Sequence, residues 1–288
     1  MSSTNASIPF DARAYLGNPT LTPAIAFAVV YSLYLIAFVA QLLRRVSRIY
    51  VTATIFCVLR VGAFSIRASI VKSGGSSGLL TADMILMSTG FVGILDVLYE
   101  SLTQWIEYYV IPVHKNELIT KAIRFKRLMH IVFLVAAVIS VMGATAESSA
   151  STPGDLSSAL DKVRIAAVIF LVTTAIMFIV SVLVSLSVAG ASAMGREVSA
   201  RPGWIVAGAS VLSLVRITYA VVQVGKTQDE LPWYCLSIGP EILVLTIFAW
   251  PGVADLYRKP ESEFFKADGA ELGGMYAPSH APLPPNQW

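Results

Sequence analysis

Carboxylic acids inside apolar segments are the residues of this chain whose type and spacing could do chemistry. Asp96 and Glu100 are four positions apart in one apolar run, and Glu241 follows Gly239-Pro240 in another. Positions four apart share a helix face. Two carboxyl groups in a low-dielectric site resist ionising together, so one tends to keep its proton, and a protonated carboxyl group can act as a general acid. Asp96, Glu100 and Glu241 are therefore the candidate catalytic residues.

Three arginines, Arg60, Arg67 and Arg216, also lie within apolar runs. Ionisable residues inside a membrane are costly, usually pair with one another and often mark functional sites. These arginines either form structural ion pairs or bind the polar part of a substrate. Depth counted at about 1.5 Å per helical residue predicts that Arg60 lies level with Asp96, and Arg216 with Glu241.

Aromatic residues cluster near the same acids. Many of them fit an interfacial aromatic belt, but Tyr99 and Tyr219 lie deeper in their segments, and Tyr234 precedes the Gly-Pro break. Aromatic ring faces can stabilise a cation. Tyr99, Tyr219 and Tyr234 are therefore predicted, with the three arginines, to contact substrate.

The sequence predicts no metal and no cofactor. The three histidines, His114, His130 and His280, are not spaced as metal ligands. The chain has no aspartate-rich D-D-x-x-D run, which argues against metal-triggered ionisation of a prenyl diphosphate. The last apolar run contains no lysine for a retinal Schiff base. Nothing in the pattern suggests a nucleic-acid partner.

Apolar segments of membrane-spanning length must position these residues. Hydrophobic residues make up 56% of the chain and charged residues 14%, with a mean hydropathy of +0.69, whereas soluble domains carry about 25% charged residues. Because a spanning helix needs about 20 apolar residues, we predict an all-α polytopic membrane helix bundle with seven transmembrane helices. The predicted spans are 22–43, 50–71, 80–104, 128–146, 163–189, 204–224 and 233–253.

The predicted domain organisation is a polar segment at 1–21, the seven-helix domain at 22–255 and a disordered, Pro-rich tail at 256–288. We expect the third helix to continue past its span to about residue 112, and a Ser/Pro/Gly loop to separate the fourth and fifth spans. Two cysteines within apolar runs do not suggest a disulfide framework.

Basic residues predict the orientation. Five lie at the ends expected to face one side and 13 at the ends facing the other, outside the three intramembrane arginines. The richer side is expected to be cytoplasmic. With seven spans, the N-terminus is then outside or lumenal and the C-terminus cytoplasmic.

Two stretches, 56–67 and 215–252, carry a resemblance to a known family. The first reads FCVLRVGAFSIR, and the second includes VRITY, LPWY and FAWPG. Their layout resembles the fungal seven-span lipid-translocating exporter family linked to aminocholesterol resistance. Arg60 and Gln223 stand where that family usually has acidic residues. This resemblance implies a translocator in which the intramembrane charges form a gated polar path for a lipid headgroup.

In size and span layout, residues 20–255 more closely resemble the fungal membrane-bound terpene cyclases of meroterpenoid pathways, the ascochlorin and macrophorin type. That resemblance implies an isomerase- or lyase-type enzyme of secondary metabolism. A Brønsted acid would protonate an alkene or epoxide on a prenyl chain of farnesyl type, attached to a ring acceptor. It also implies residence in the endoplasmic reticulum membrane. The cyclase is the leading interpretation, the exporter the alternative, and a seven-span receptor the weakest, because a terminal Asp-Arg-Tyr in the third span is absent.

Overall fold

A computed structural model describes residues 16–17, 19–74, 76–111, 126–150, 152–192, 199–226 and 229–257. Within these residues the chain is helical and contains no strand. The helices are α1 (Leu21–Arg44), α2 (Arg48–Ser73), α3 (Ser77–Trp105), α4 (Lys126–Ser149), α5 (Pro153–Ser192), α6 (Arg201–Gln223) and α7 (Glu230–Ala249). The parts of the predicted end segments at 1–15 and 258–288 lie outside the described residues.

Seven of the described helices are long and apolar enough to cross a membrane, which confirms the predicted fold class. Large apolar side chains cover much of their outer surface, as in Leu33 and Ile36 of α1 and Leu134 of α4. Such a surface suits lipid, where helices satisfy their own backbone hydrogen bonds. The chain is therefore a multi-pass membrane protein.

Each helix packs on the next one in the chain, and α7 returns to α1, which closes the bundle. α3 also contacts α5 and α6 and is the most central helix. We call the end that carries the α2–α3, α4–α5 and α6–α7 connections the N-terminal end, because α1 begins there. The opposite end, where α7 finishes, is the C-terminal end.

The fifth helix begins ten residues before its predicted start, at Pro153, so most of the predicted Ser/Pro/Gly loop is helical. The hydroxyl of Thr152 accepts a hydrogen bond from the backbone N–H of Asp155 at 3.1 Å, and donates one to the Asp155 carboxylate at 2.7 Å. Proline at the first helical position and an acidic residue in the first turn also favour a helix start. These capping contacts explain why the helix begins at Pro153 although the surrounding sequence is polar.

The seventh helix changes pitch where the Gly-Pro break was predicted. A π-helical turn at Tyr234–Ile238 precedes the α-helical part Gly239–Ala249. Pro240 lacks a backbone N–H and its ring crowds the carbonyl four residues earlier, which explains the changed hydrogen bonding. Glu241 follows directly and points into the bundle, where it is fully buried.

The bundle continues to Tyr257, two residues beyond the predicted domain boundary. A 3-10 turn, Ala254–Tyr257, follows α7. The hydroxyl of Tyr257 donates to the Pro202 carbonyl at 3.0 Å, and its ring lies 6.4 Å from that of Phe248. Burial raises the pKa of Tyr257, since the charged form would lose its hydration. This residue anchors the end of α7 to the start of α6.

Candidate functional site

A buried charge cluster lies at the centre of the bundle. Both Arg60 on α2 and Arg216 on α6 form ion pairs with Oε1 of Glu241 on α7. Tyr31 on α1 donates its hydroxyl to Oε2 of Glu241 at 2.9 Å. Two cations thus share one carboxylate, and the cluster carries one excess positive charge. We call Tyr31, Arg60, Arg216 and Glu241 the central cluster.

Glycine on α3 makes room for Arg60. A Cβ atom on Gly90 would lie 3.1 Å from Cζ of Arg60. The Nη1 group of Arg60 donates to the Met87 carbonyl at 3.0 Å, one turn earlier on α3. The guanidinium groups also lie over aromatic rings, that of Arg60 at 5.1 Å from the Phe56 centroid and that of Arg216 at 4.0 Å from Phe91. Ring faces stabilise such cations when they are desolvated.

A second buried ion pair lies nearer the N-terminal end. Arg67 on α2 donates to Oδ2 of Asp83 on α3 through Nη2 at 2.8 Å and Nε at 3.3 Å. Its guanidinium lies 4.1 Å from the centroid of the Trp233 ring on α7. The other oxygen, Oδ1 of Asp83, is buried and has no hydrogen-bond partner among the described residues. An unsatisfied buried oxygen is costly, so this atom is a candidate ligand contact.

These groups border a cavity of about 450 Å³ at the N-terminal end, which we call the N-end cavity. Arg67, Asp83 and Arg216 line it together with aromatic side chains, and Lys226 and Glu147 also contribute to its wall. Its apolar wall includes Phe91, Phe170, Tyr219 and Trp233. Small-molecule sites typically occupy about 300–1,000 Å³ and combine apolar walls with few polar groups. The N-end cavity has the size and lining of such a site.

A polar cavity of about 430 Å³, the C-end cavity, lies at the other end. Charged side chains from α2, α3 and the turn after α7 line it, including Arg48, Glu100, Glu107 and Asp255. At a depth between the two cavities, counted along α2, α3 and α7, apolar side chains enclose a void of only about 10 Å³. They are Ala53, Phe56, Ile94, Val97, Val244, Leu245 and Phe248. We call these seven residues the apolar plug.

Asp96 and Glu100 do not lie beside the central cluster. Asp96 contacts His130 Nδ1 at 3.2 Å and Thr52 Oγ1 at 3.4 Å, and Glu100 accepts a hydrogen bond from Gln104 at 2.8 Å. Neither is among the described residues that line the N-end cavity. The predicted level of Arg60 with Asp96 is wrong: Arg60 is level with Met87. The predicted level of Arg216 with Glu241 is confirmed.

The depth error has a simple geometric cause. α3 continues as a π-helical turn, Ile106–Val110, as the sequence analysis expected. α3 therefore extends past the level at which α2 begins at Arg48, so residue 104 does not lie level with the start of α2. Counting back from residue 104 placed Asp96 too deep. Asp96 contacts Thr52, which lies about one helical turn after the start of α2. Asp96 is therefore close to the C-terminal end of the bundle.

The three predicted tyrosines separate. Tyr219 lines the N-end cavity. The Tyr99 ring packs edge-on against His130 at 5.6 Å and Phe133 at 6.0 Å, next to Asp96. Tyr234 stacks on Phe27 at 4.8 Å, outside the described lining of that cavity.

Sequence reasoning missed two members of the site. Tyr31 is one of three hydroxyl residues in the middle of the first span, with Ser32 and Tyr34, and a polar atom at that depth needs a partner. Gly90 offered a weaker signal, because small residues in spanning helices often mark close packing. Asp83 lies near the start of α3, and its pairing with Arg67 depends on how α2 and α3 pack.

No group of three or more His, Cys, Asp or Glu side chains that could hold a metal ion occurs within the described residues. The family described as "Domain of unknown function (DUF7702)" matches residues 22–247, which include α1 to α6 and most of α7. No curated protein matches the chain, and no solved structure does.

Proposed function

The chain belongs to the DUF7702 family, and we propose that it is a lipid translocator or exporter that moves an amphipathic molecule between the two ends of its bundle. The observation that carries the proposal is the pair of cavities, about 450 and 430 Å³, at opposite ends. The central cluster and the apolar plug separate them. Transporters that alternate their access have a site near mid-membrane and close one side at a time.

The central cluster suits a gate because its charges can exchange partners. Arg60, Arg216 and Tyr31 come from different helices and meet on one carboxylate of α7. A polar headgroup that enters the N-end cavity meets Arg216, which lines that cavity and also belongs to the cluster. If Arg216 exchanged its partner Glu241 for the headgroup, the contact between α6 and α7 would loosen. The bound headgroup would thereby shift the bundle from one of two states toward the other.

A reconstituted flip assay tests the proposal. Purified protein is placed in vesicles that contain a phospholipid with a fluorescent acyl chain, and an impermeant reductant bleaches label in the outer leaflet. We expect protein-containing vesicles to bleach beyond the outer-leaflet half, and Glu241→Gln to slow the second phase at least tenfold. Asp161→Asn, an exposed change on α5, is the matched control that keeps the wild-type rate of the second phase.

Bleaching that stops at the outer leaflet for a panel of zwitterionic, anionic and neutral labelled lipids would contradict a translocator. Folding of the protein in those vesicles is checked by its melting profile. The endoplasmic reticulum stays the expected membrane for the protein, on the resemblance alone, and fluorescence microscopy of a tagged chain checks it.

A membrane terpene cyclase is the second candidate. The aromatic lining of the N-end cavity favours it, since Phe91, Phe170 and Trp233 could face a carbocation. Glu241 does not line the N-end cavity and Asp96 lies elsewhere, whereas Asp83 lines it and has an oxygen, Oδ1, without a hydrogen-bond partner among the described residues. Asp83 is therefore the carboxyl group in position to serve as the acid. It would protonate an alkene or epoxide on a farnesyl-type chain, and loss of a proton from the cyclised cation would restore it.

Product analysis distinguishes the two candidates. Membranes that contain the protein receive a farnesylated phenol and its terminal epoxide, and mass spectrometry looks for a cyclised isomer of unchanged mass. A cyclase would form the isomer and lose it in Asp83→Asn and in the charge-balanced double variant Arg67→Gln/Asp83→Asn. Turnover that survives in both variants would exclude Asp83, and no turnover by folded wild type would exclude this cyclase chemistry.

A further inference from the structure

We propose that the ligand of the N-end cavity is an anionic amphipath, whose carboxylate or phosphate binds Arg216 and whose single chain lies along the apolar wall. This inference rests on the proposed function, and it adds the charge and shape of the molecule that is moved. It follows from three features of the cavity: an excess of cationic groups, an accessible edge on a buried arginine, and a continuous row of apolar side chains along α5.

Charge is the first feature. The described residues that line the N-end cavity include three cationic side chains, Arg67, Arg216 and Lys226, and two acidic ones, Asp83 and Glu147. Asp83 is the ion-pair partner of Arg67. Glu241 is shared by Arg216 and the fully buried Arg60, so the cluster at the cavity floor has one positive charge in excess. A bound anion would balance it.

The geometry of Arg216 is the second feature. Its Nε atom is buried and faces Glu241 without hydrogen-bond alignment, yet the side chain keeps 10% of its surface exposed. Because Arg216 lines the cavity, that exposed edge faces the cavity. The Phe91 ring at 4.0 Å covers one face of the guanidinium. A planar donor edge held flat on a ring suits a carboxylate or phosphate, which accepts two parallel hydrogen bonds.

The shape of the wall is the third feature. Apolar side chains of α5, among them Leu160, Val163, Ala167 and Phe170, follow each other at helical spacing along one side of the cavity. They lead from the cavity mouth toward the level of Phe91 and Arg216, since Phe170 packs edge-on against Phe91 at 5.7 Å. An extended hydrocarbon chain can lie along this row while its headgroup reaches Arg216.

Photo-crosslinking in detergent micelles tests the inference. Two probes of equal chain length carry the same diazirine, one as a fatty acid and one as a fatty alcohol, and peptide mapping follows saturable labelling of α5 between 160 and 170. We expect the acid to label this stretch and the alcohol to need at least about ten times the concentration. Unlabelled oleate and lysophosphatidate compete as carboxylate and phosphate sources, and the stronger competitor identifies the headgroup.

A matched pair of variants assigns the charge to Arg216. Arg216→Gln should reduce acid labelling about tenfold and leave alcohol labelling unchanged, whereas Arg164→Gln, at an exposed site on α5, should change neither. If Arg216→Gln does not fold, the acid-to-alcohol comparison on wild type still decides the question. Equal saturable labelling by both probes would overturn the anionic ligand and leave the translocator standing. Absence of saturable labelling by either probe would overturn both.

Discussion

At the scale of single residues, Glu241 is the counter-ion on which the centre of the bundle depends. It pairs with two arginines and accepts the hydroxyl of Tyr31. Removing one partner of a buried ion pair leaves the other charge without compensation, which is costlier than losing the pair as a whole. The loss of stability should therefore depend on whether a substitution removes the shared carboxylate or one of the two arginines.

Glu241→Gln should destabilise the protein by about 3–5 kcal/mol, because it leaves Arg60 and Arg216 buried without a counter-ion. Arg216→Gln should cost less, since the pair between Arg60 and Glu241 stays intact. Thermal unfolding in detergent measures both. Asp255→Asn breaks the exposed pair with Arg45 and should change stability by less than about 1 kcal/mol. A smaller loss in Glu241→Gln than in Arg216→Gln would contradict the shared-carboxylate geometry.

The sequence alone pointed to part of this cluster. Arg216 and Glu241 are predicted at one level because each lies about a dozen residues from the same end of the bundle, at 204 and 253 in their predicted spans. Tyr31 and the pairing of Arg60 could not be predicted in the same way. They depend on the rotation of α1 and on the approach of α2 to α3 over Gly90, and one sequence does not specify helix rotation.

At the scale of helices, close packing at the C-terminal end fixes α6 against α3. A Cβ atom on Gly203 would overlap the Trp105 ring and the Ser185 hydroxyl, while one on Gly208, also on α6, would meet nothing within 4 Å. The two glycines thus form a matched pair, one with a neighbour that must move and one without.

Gly203→Ala should lower the melting temperature, because the rigid indole of Trp105 cannot move aside easily in a packed core. Gly208→Ala should be neutral or stabilising by up to about 1 kcal/mol, as alanine favours helix over glycine. Melting of the two variants in one detergent checks this. Equal destabilisation would mean that α6 and α3 do not pack at Gly203 as described.

Apolar runs predicted the number and order of the helices, but not all of their ends. The start of α5 at Pro153 comes from the hydrogen bonds of Thr152, which a hydropathy window does not detect. The predicted extension of α3 is confirmed as far as Val110, and it means that Asp96 lies nearer the C-terminal end than its distance from residue 104 indicates. Helix ends are set by local hydrogen bonding, whereas apolar runs report only the lipid-facing stretch.

At the scale of the whole molecule, orientation remains a prediction from the basic residues. Single cysteines test it in a background in which Cys57 and Cys235 are replaced by alanine. In sealed microsomes, an impermeant maleimide should label Val46→Cys, at the C-terminal end, without detergent. Ser73→Cys, at the N-terminal end, should need detergent, and the opposite pattern would show that the N-end cavity faces the cytoplasm.

The central claim is that a molecule passes from one cavity to the other through a barrier that must open. Ala53 and Val244 both line the void within the apolar plug, so a reducible bifunctional thiol reagent that links cysteines at these two positions would tie α2 to α7 across it. The most direct test is lipid flipping by this double-cysteine variant, in the same cysteine-free background, before cross-linking, after it and after reduction. We expect cross-linking to stop flipping, reduction to restore it, and both single-cysteine variants to be unaffected. Flipping at the wild-type rate with the cross-link demonstrably formed would contradict the account.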